Sequence, residues 1–244
     1  KSLIRLLIPK FIFRALQPTY HGLMAQLASI YFGNPSQKLF VIGVTGTAGK
    51  STTVIMTSQI LNFAGKKTGY ITTAGSFDGS AATTNKHGLS MPGGWMLQKQ
   101  LREMINNHCE FAIVECTSEG LAQNRHLGIL FRIALFTNLS TAHLDSHGNF
   151  ENYRAAKGKL FAALKLNTTA ETAIGVNLDD PNSKYFLDFP ATRKFGVSMR
   201  EDVDKPVSLM TVVAEEVRVG DHIAFAIEDT QFSLQLFGTF NVTN

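Results

Sequence analysis

The chain of 244 residues is expected to fold as an α/β protein on a doubly wound, mostly parallel sheet, with an N-terminal helical extension and an antiparallel, β-rich C-terminal part. Three observations carry this expectation. A short β-branched run closed by glycines, KLFVIGVTG, leads straight into KSTTVIMTSQILNFAGK, whose apolar residues fall at helical spacing and end at Gly65. Strand-like and helix-like segments then alternate as far as TAIGVNLDD, as in a parallel sheet with helices on both faces. From about Arg200 the pattern changes to alternating runs with turn residues and no helix, which reads as antiparallel strands completing or flanking the sheet.

The elements follow in order. Residues 1–36 are apolar, but Arg5, Lys10 and Arg14 interrupt them and Pro9 and Pro18 break them. They read as a pair of amphipathic helices lying on the protein, with weak contact to an anionic membrane surface as the alternative. No run approaches the roughly 20 apolar residues of a membrane span, and no small-residue cleavage site follows a compact apolar core. The chain starts at Lys1 rather than methionine, so residues are expected ahead of it. A second domain is expected over 37–244. Within it, after the strand, loop and helix, KTGYITT reads as a second strand and GSFDGSAATTNKHGLSMPGG as a polar, glycine-rich functional loop. WMLQKQLREMINNHC is a helix with Trp95, Leu97, Leu101, Met104 and Ile105 on its apolar positions. FAIVECTS is a buried strand, FRIALFTNLS another, NFENYRAAKGKLFAALK a helix and TAIGVNLDD a further strand. In such sheets ligands sit beyond the carboxyl ends of the strands.

At 44% hydrophobic residues the chain can bury a substantial core. Its two cysteines, Cys109 and Cys116, are too few to staple a fold and are not spaced as a C-x-x-C pair, which points to a reducing, cytoplasmic setting without disulfides. The net charge of +4 is uneven: residues 1–77 hold eight Lys or Arg and no Asp or Glu, leaving −4 for the remainder. The front of the chain therefore favours anions. The bases are scattered singly, without an arginine-rich run or an aromatic platform, so a phosphorylated small molecule suits them and nucleic acid is set aside as a partner. A monomer is expected.

VIGVTGTAGKSTT carries the clearest chemistry. The generic phosphate loop, G-x-x-x-x-G-K-[ST], needs glycine at position 44, where this chain has Val44; its glycines are Gly43, Gly46 and Gly49. A glycine-rich turn between strand and helix lets backbone N–H groups and a helix N-terminus face a polyphosphate, and Lys50 adds a mobile positive charge. Ser51, beside Thr52, can offer a hydroxyl to Mg²⁺. Glu115 closes FAIVE, where a carboxylate would point into the crevice and hold a metal ion directly or through water. FTNLSTAHLDSHGNFENYRAAKGKLF places Asn138, His143, Asp145 and His147 just past a strand, with Lys157 on the following helix. Taken singly, Glu115 reads as a solvated loop-start acid, the histidines as surface or capping residues and Lys157 as a surface lysine; their joint placement favours a site. Cys116 reads as a buried strand-end cysteine.

These blocks resemble the Mur ligases, most closely the tripeptide synthetase type. That family's loop reads G-[VI]-T-G-T-[NK]-G-K-[ST]-T and is similar to Gly43–Thr52, taking in Thr45 and Thr47, with Ala48 where asparagine is frequent. ECTSEGLAQNR resembles the family's E-V-S-S-x-G-L-x-x-x-R, and FTNLSTAHLDSHGNFENYRAAK resembles its F-T-N-L-x-x-D-H-L-D-x-H-G-x-x-x-x-Y-x-x-A-K. GVNLDDP, KFGVS and LFGTFNVTN resemble the end of its central ATPase domain, so the resemblance spans roughly residues 38–244. It implies a phosphate-loop ATPase fold and an ATP-dependent ligase that adds an amino acid to a UDP-N-acetylmuramoyl peptide through an acyl phosphate. It also implies two Mg²⁺ ions, Lys50 on the β and γ phosphates, Ser51 and Glu115 on one Mg²⁺ and His143 on the second. Lys157 matches a lysine carbamylated by CO₂, Asn138 a position near the nucleotide, Thr117 and Arg125 contacts to the UDP-sugar-peptide, and Ser90 a further substrate contact. Ala142 stands where the family has Asp, and Glu119 where it often has His. The family's UDP-binding and amino-acid-binding domains have no counterpart in the sequence. The rival readings are a nucleotide-binding module without ligase activity, another ligase of the superfamily such as a folylpolyglutamate synthetase, and a phosphate-loop kinase or GTPase.

Overall fold

The computed structural model describes residues 10–85, 91–141, 144–168, 170–200, 209–236 and 238–244. Nine strands form one sheet in the order β4-β3-β2-β5-β1-β6-β7-β8-β9. From one edge to the other these are β4 (Ala82–Thr84), β3 (Gly75–Phe77), β2 (Thr68–Ile71), β5 (Phe111–Glu115), β1 (Phe40–Thr45), β6 (Phe131–Phe136), β7 (Ala173–Asn177), β8 (Arg193–Ser198) and β9 (Met210–Val213). All neighbours from β2 to β9 are parallel, while β3 pairs antiparallel with β2 and with β4. The doubly wound, mostly parallel sheet is thus present. The loop expected at 75–94 contains the β3–β4 hairpin, which Thr72 and Asp78 brace through side-chain bonds to the turn backbone.

Alternation along β1 explains the two layers. Ile42 and Val44 join Val54 and Ile113 under α2 (Lys50–Phe63), while Val41 faces the larger core on the opposite side. That larger core lies under α3 (Gly94–Asn106) and α6 (Phe150–Ala163) and includes Leu97, Leu101, Leu160 and Phe161. On α3 the expected apolar face is turned slightly: Trp95 is 42% exposed, whereas Gln98 is fully buried. The short helices α4 (Ser118–Ala122), α5 (Leu144–His147) and α7 (Ser183–Leu187) fill connections. Beyond the main sheet, β10 (Glu215–Val219), β11 (Ile223–Ile227) and β12 (Thr230–Leu234) make the expected antiparallel sheet, with its own cluster of Ala214, Ile223 and Phe225.

The N-terminal extension differs from the expected helix pair over its described part. A single helix, α1 (Lys10–Tyr31), runs through Pro18 without a break. It lies on α3 where Ala25 meets Gly94 closely enough for the backbones to touch, and Gly22 gives room to the Leu127 and Asn124 side chains in the segment after α4. The Asn124 side chain donates to the Pro18 carbonyl at 3.4 Å, which anchors this turn of α1 from outside. Among the described residues no helix is long and apolar enough to cross a membrane.

Candidate functional site

The register sets the site. Pairing of Val44 with Glu115 and of Thr45 with Phe136 brings the carboxyl ends of β5, β1 and β6 side by side, with the glycine loop issuing from the middle strand. Gly46 (φ +154°) and Gly49 (φ +82°) take backbone conformations that L side chains rarely adopt. At Gly46 a Cβ would also strike the Thr137 hydroxyl. The loop is tied to the end of β6: the Thr47 N–H donates to the Asn138 carbonyl at 2.8 Å and the Thr137 hydroxyl to the Ala48 carbonyl at 2.7 Å. The Asn138 carboxamide closes the clamp, accepting from the Ala48 N–H at 2.9 Å and donating to the Ala48 carbonyl at 3.1 Å. Asn138 therefore shapes the loop, and Gly49 is the N-cap of α2, whose N-terminal N–H groups face the same mouth.

Charge converges there. The Ser51 hydroxyl donates to Glu115 Oε2 at 2.6 Å, and the Thr73 N–H donates to the same oxygen at 3.0 Å. Lys50 Nζ donates to the Thr47 carbonyl at 2.9 Å and lies 4.0 Å from Glu115 Oε1. Glu115 is only 3% exposed, so it is not a solvated loop acid. Nor is Lys157 a surface lysine: it is 1% exposed, and its Nζ donates to the Gly46 carbonyl at 2.6 Å and sits 4.4 Å from the centre of the Tyr153 ring. Tyr153, one turn earlier on α6, shares a 3.0 Å hydrogen bond with the Thr47 hydroxyl. Burial first, then the nearby Lys50 charge, pushes the Lys157 amine down to about 7, with Glu115 opposing. Burial also lowers the Lys50 amine, again against Glu115.

A hydroxyl and a carboxylate at hydrogen-bond distance are hard oxygen donors of the kind Mg²⁺ takes. Among the described residues no three or more His, Cys, Asp or Glu gather into a metal cage.

The other expected residues divide. Thr47, Lys50, Ser51, Glu115, Asn138 and Lys157 come together, and Thr52 stands beside Ser51 in a groove that runs to Leu234. Gly43 lies inside β1, where Leu160 and Phe131 leave no room for a Cβ, and Thr45 is buried with its hydroxyl on the Cys116 carbonyl at 2.8 Å. Both support the loop from below. Thr117 caps α4, its Oγ1 accepting from the Gly120 N–H at 3.3 Å, and Arg125 is held by the Met91 carbonyl at 2.6 Å and by Gln123. His143 and Ser90 lie outside the described residues, as does the side chain of Asp145. His147 pairs with the Ser118 hydroxyl at 3.1 Å. Cys109 and Cys116 are both buried with free thiols, Cys116 directly after β5 as a buried strand-end cysteine.

Four residues join the site that the sequence reading passed over. Tyr153 was visible in principle, being four residues before Lys157 on one helix. Thr73, which fixes Glu115, carries no local signal; Asp180, whose Oδ2 accepts from the Leu139 N–H at 2.6 Å, lies in the GVNLDDP block but is not set apart within it. Asn244 lays its carboxamide against Gly49, a contact made only by the fold.

The Mur ligase middle domain family matches residues 44–244. The chain is 37% identical over 232 residues to the UDP-N-acetylmuramoyl-L-alanyl-D-glutamate–2,6-diaminopimelate ligase of Geobacillus kaustophilus, covering 91% of this chain and 45% of that protein. It is 35% identical over 243 residues to the UDP-N-acetylmuramyl-tripeptide synthetase of Roseiflexus sp. strain RS-1, covering 93% and 46%. It thus spans about half the length of the curated relatives it matches. A solved structure of a UDP-N-acetylmuramoyl-L-alanyl-D-glutamate–2,6-diaminopimelate ligase superposes with a TM-score of 0.72 at 24% identity, over 91% of this chain and 45% of that one. Matched by that family model over residues 44–244, most of its length, the chain belongs to the Mur ligase family through the family's middle domain.

Proposed function

We propose that this chain supplies the ATP-binding centre of a ligase joining an amino acid to a UDP-N-acetylmuramoyl peptide in peptidoglycan precursor synthesis. The observation that carries this reading is the meeting of Lys50, Ser51, Glu115 and Lys157 around one glycine loop at the strand ends. In the reaction the terminal phosphoryl group of ATP passes to the substrate carboxylate, giving an acyl phosphate and ADP. The amino acid's amine then attacks the acyl carbon, an amide forms and phosphate leaves.

The residues suit that sequence without a side-chain nucleophile. Loop N–H groups and the α2 N-terminus receive the phosphates, and Lys50 neutralises charge on the group in flight. Ser51 and Glu115 would hold one Mg²⁺, and His143 a second by family resemblance; when bound, such ions offset charge on the phosphoryl oxygens. Lys157, neutral in part near pH 7, is suited to add CO₂ through its lone pair, releasing a proton and leaving an anionic carbamate beside the loop. By family resemblance Thr117, Arg125 and Ser90 would contact the UDP-sugar-peptide, and ATP as donor suits work in the cytoplasm.

The test is turnover by the full-length protein. Phosphate release that requires a UDP-N-acetylmuramoyl dipeptide and an amino acid together supports the ligase. Nucleotide binding that no such pair stimulates would leave a binding module without ligase activity and remove this proposal.

A further inference from the structure

The outer face of α1 is built the wrong way round for a surface helix. Its inward positions are small, Gly22, Ala25, Ala28 and Ser29, whereas its outward positions are large and apolar. Leu16, Tyr20, Leu23, Leu27 and Ile30 are 55%, 60%, 56%, 48% and 69% exposed. They recur at steps of four, three, four and three, the spacing of a coiled-coil seam. From Leu16 to Tyr31 there is no Lys, Arg, Asp or Glu. Tyr31, 71% exposed, continues the face onto Trp95 of α3, whose ring lies 5.1 Å away. A contiguous apolar face of this size marks an interaction surface.

We propose that this face is a dimer interface, occupied by α1 of a second copy of the chain in antiparallel orientation. The stripe is almost symmetric about Leu23, with apolar residues seven positions to either side and at three before and four after. A two-fold axis there pairs Leu16 with Ile30, Tyr20 with Leu27 and Leu23 with its own copy, as a self-complementary interface requires. The exposed area of these residues, with Tyr31, Trp95 and Met96, sets an upper limit of about 900 Å² per copy, enough for the roughly 800 Å² per partner of a stable complex. Charge selects the direction: Lys10 and Arg14 sit at one end of α1, and the antiparallel arrangement sends the two basic ends apart. It also favours a second copy over a bilayer. A helix lying on an anionic surface keeps bases beside its apolar stripe, whereas Gln17, Thr19 and Gln26 flank this one. The dimer departs from the monomer expected from sequence, and it does not depend on the ligase reading.

Sedimentation equilibrium of the full-length chain from roughly 1 to 100 µM tests it. The wild type is expected to be dimeric, Leu23→Glu to self-associate at least about 100-fold more weakly with its thermal melt retained, and Phe63→Glu on α2 to stay dimeric. In a second arm, Leu23→Cys should form a disulfide-linked dimer on mild oxidation, whereas Leu16→Cys should not, because the axis holds the two copies of residue 16 far apart. This arm decides the matter if Leu23→Glu fails to fold. A wild type monomeric throughout the range overturns the proposal, whether the face proves to bind phosphatidylglycerol vesicles or to be covered by another part of the same chain. A dimer that survives Leu23→Glu, or equal cross-linking at Leu16→Cys, overturns it too.

Discussion

Ser51 and Glu115 stand 64 positions apart in the chain, yet the Ser51 hydroxyl donates a 2.6 Å hydrogen bond to the Glu115 carboxylate. Parallel pairing of β1 with β5 makes this contact, since it sets Val44 opposite Glu115 and leaves the loop and α2 to carry Ser51 back over the strand end. Glu115→Gln keeps the shape and removes the charge. It is expected to lower Mg²⁺-dependent ATP turnover by at least about 100-fold, and Lys50→Ala by a similar factor, since each removes a preorganised charge from the phosphoryl site. Steady-state turnover checks this, with circular dichroism confirming that both variants fold.

Lys157 is a buried amine whose cost is greatest when it is protonated. Its folded value, about 7, lies below the usual lysine value of 10.5, so between these limits the unfolded chain binds more protons and stability rises with pH. In Lys157→Met that rise should be absent, so the variant should melt above wild type near pH 7 and lose its advantage towards pH 10. The same substitution, or Lys157→Ala, should abolish turnover, with partial rescue of the Ala variant by short carboxylates. Unchanged turnover in either variant would remove Lys157 from the site.

His126 offers a separate pH dependence, away from the loop. It is 4% exposed, its Nδ1 has no hydrogen-bond partner among the described residues, and burial followed by the Lys159 charge pushes it down to about 4. The unfolded histidine takes up its proton near 6.5, so stability is lost as pH falls from 6.5 towards 4, by about 3 kcal/mol in all. Denaturant titrations at several pH values should show that His126→Leu flattens this part of the profile.

Gly49 combines a φ of +82° with the Asn244 carboxamide against the position of a Cβ. Gly49→Ala should cost about 1–2 kcal/mol from the left-handed backbone alone. It should also weaken nucleotide binding, because the N–H groups at the start of α2 would turn from the phosphates; calorimetric titration with ATP measures this.

Tyr153 and Lys157 show how far the sequence could be read. Lys157 was singled out because its motif lies beyond a strand, but its burial, and the ring that faces it, follow from α6 covering the strand ends. Thr73 is a polar loop residue that nothing local sets apart until the sheet brings it to Glu115, and Asp180, though inside the GVNLDDP block, shows its role only where the fold brings it to Leu139.

By itself the sequence determined the strand, loop and helix at residues 38–65, the alternation that demands a parallel sheet, and the family, because these are written in short-range periodicity and in glycines whose spacing a tight turn requires. The order of the nine strands, the unbroken helix through Pro18 and the outward apolar face of α1 were decided only in the tertiary structure. Each depends on which distant surfaces meet: Pro18 is anchored by Asn124, and α1 turns its small residues inward because Gly94 admits Ala25 closely.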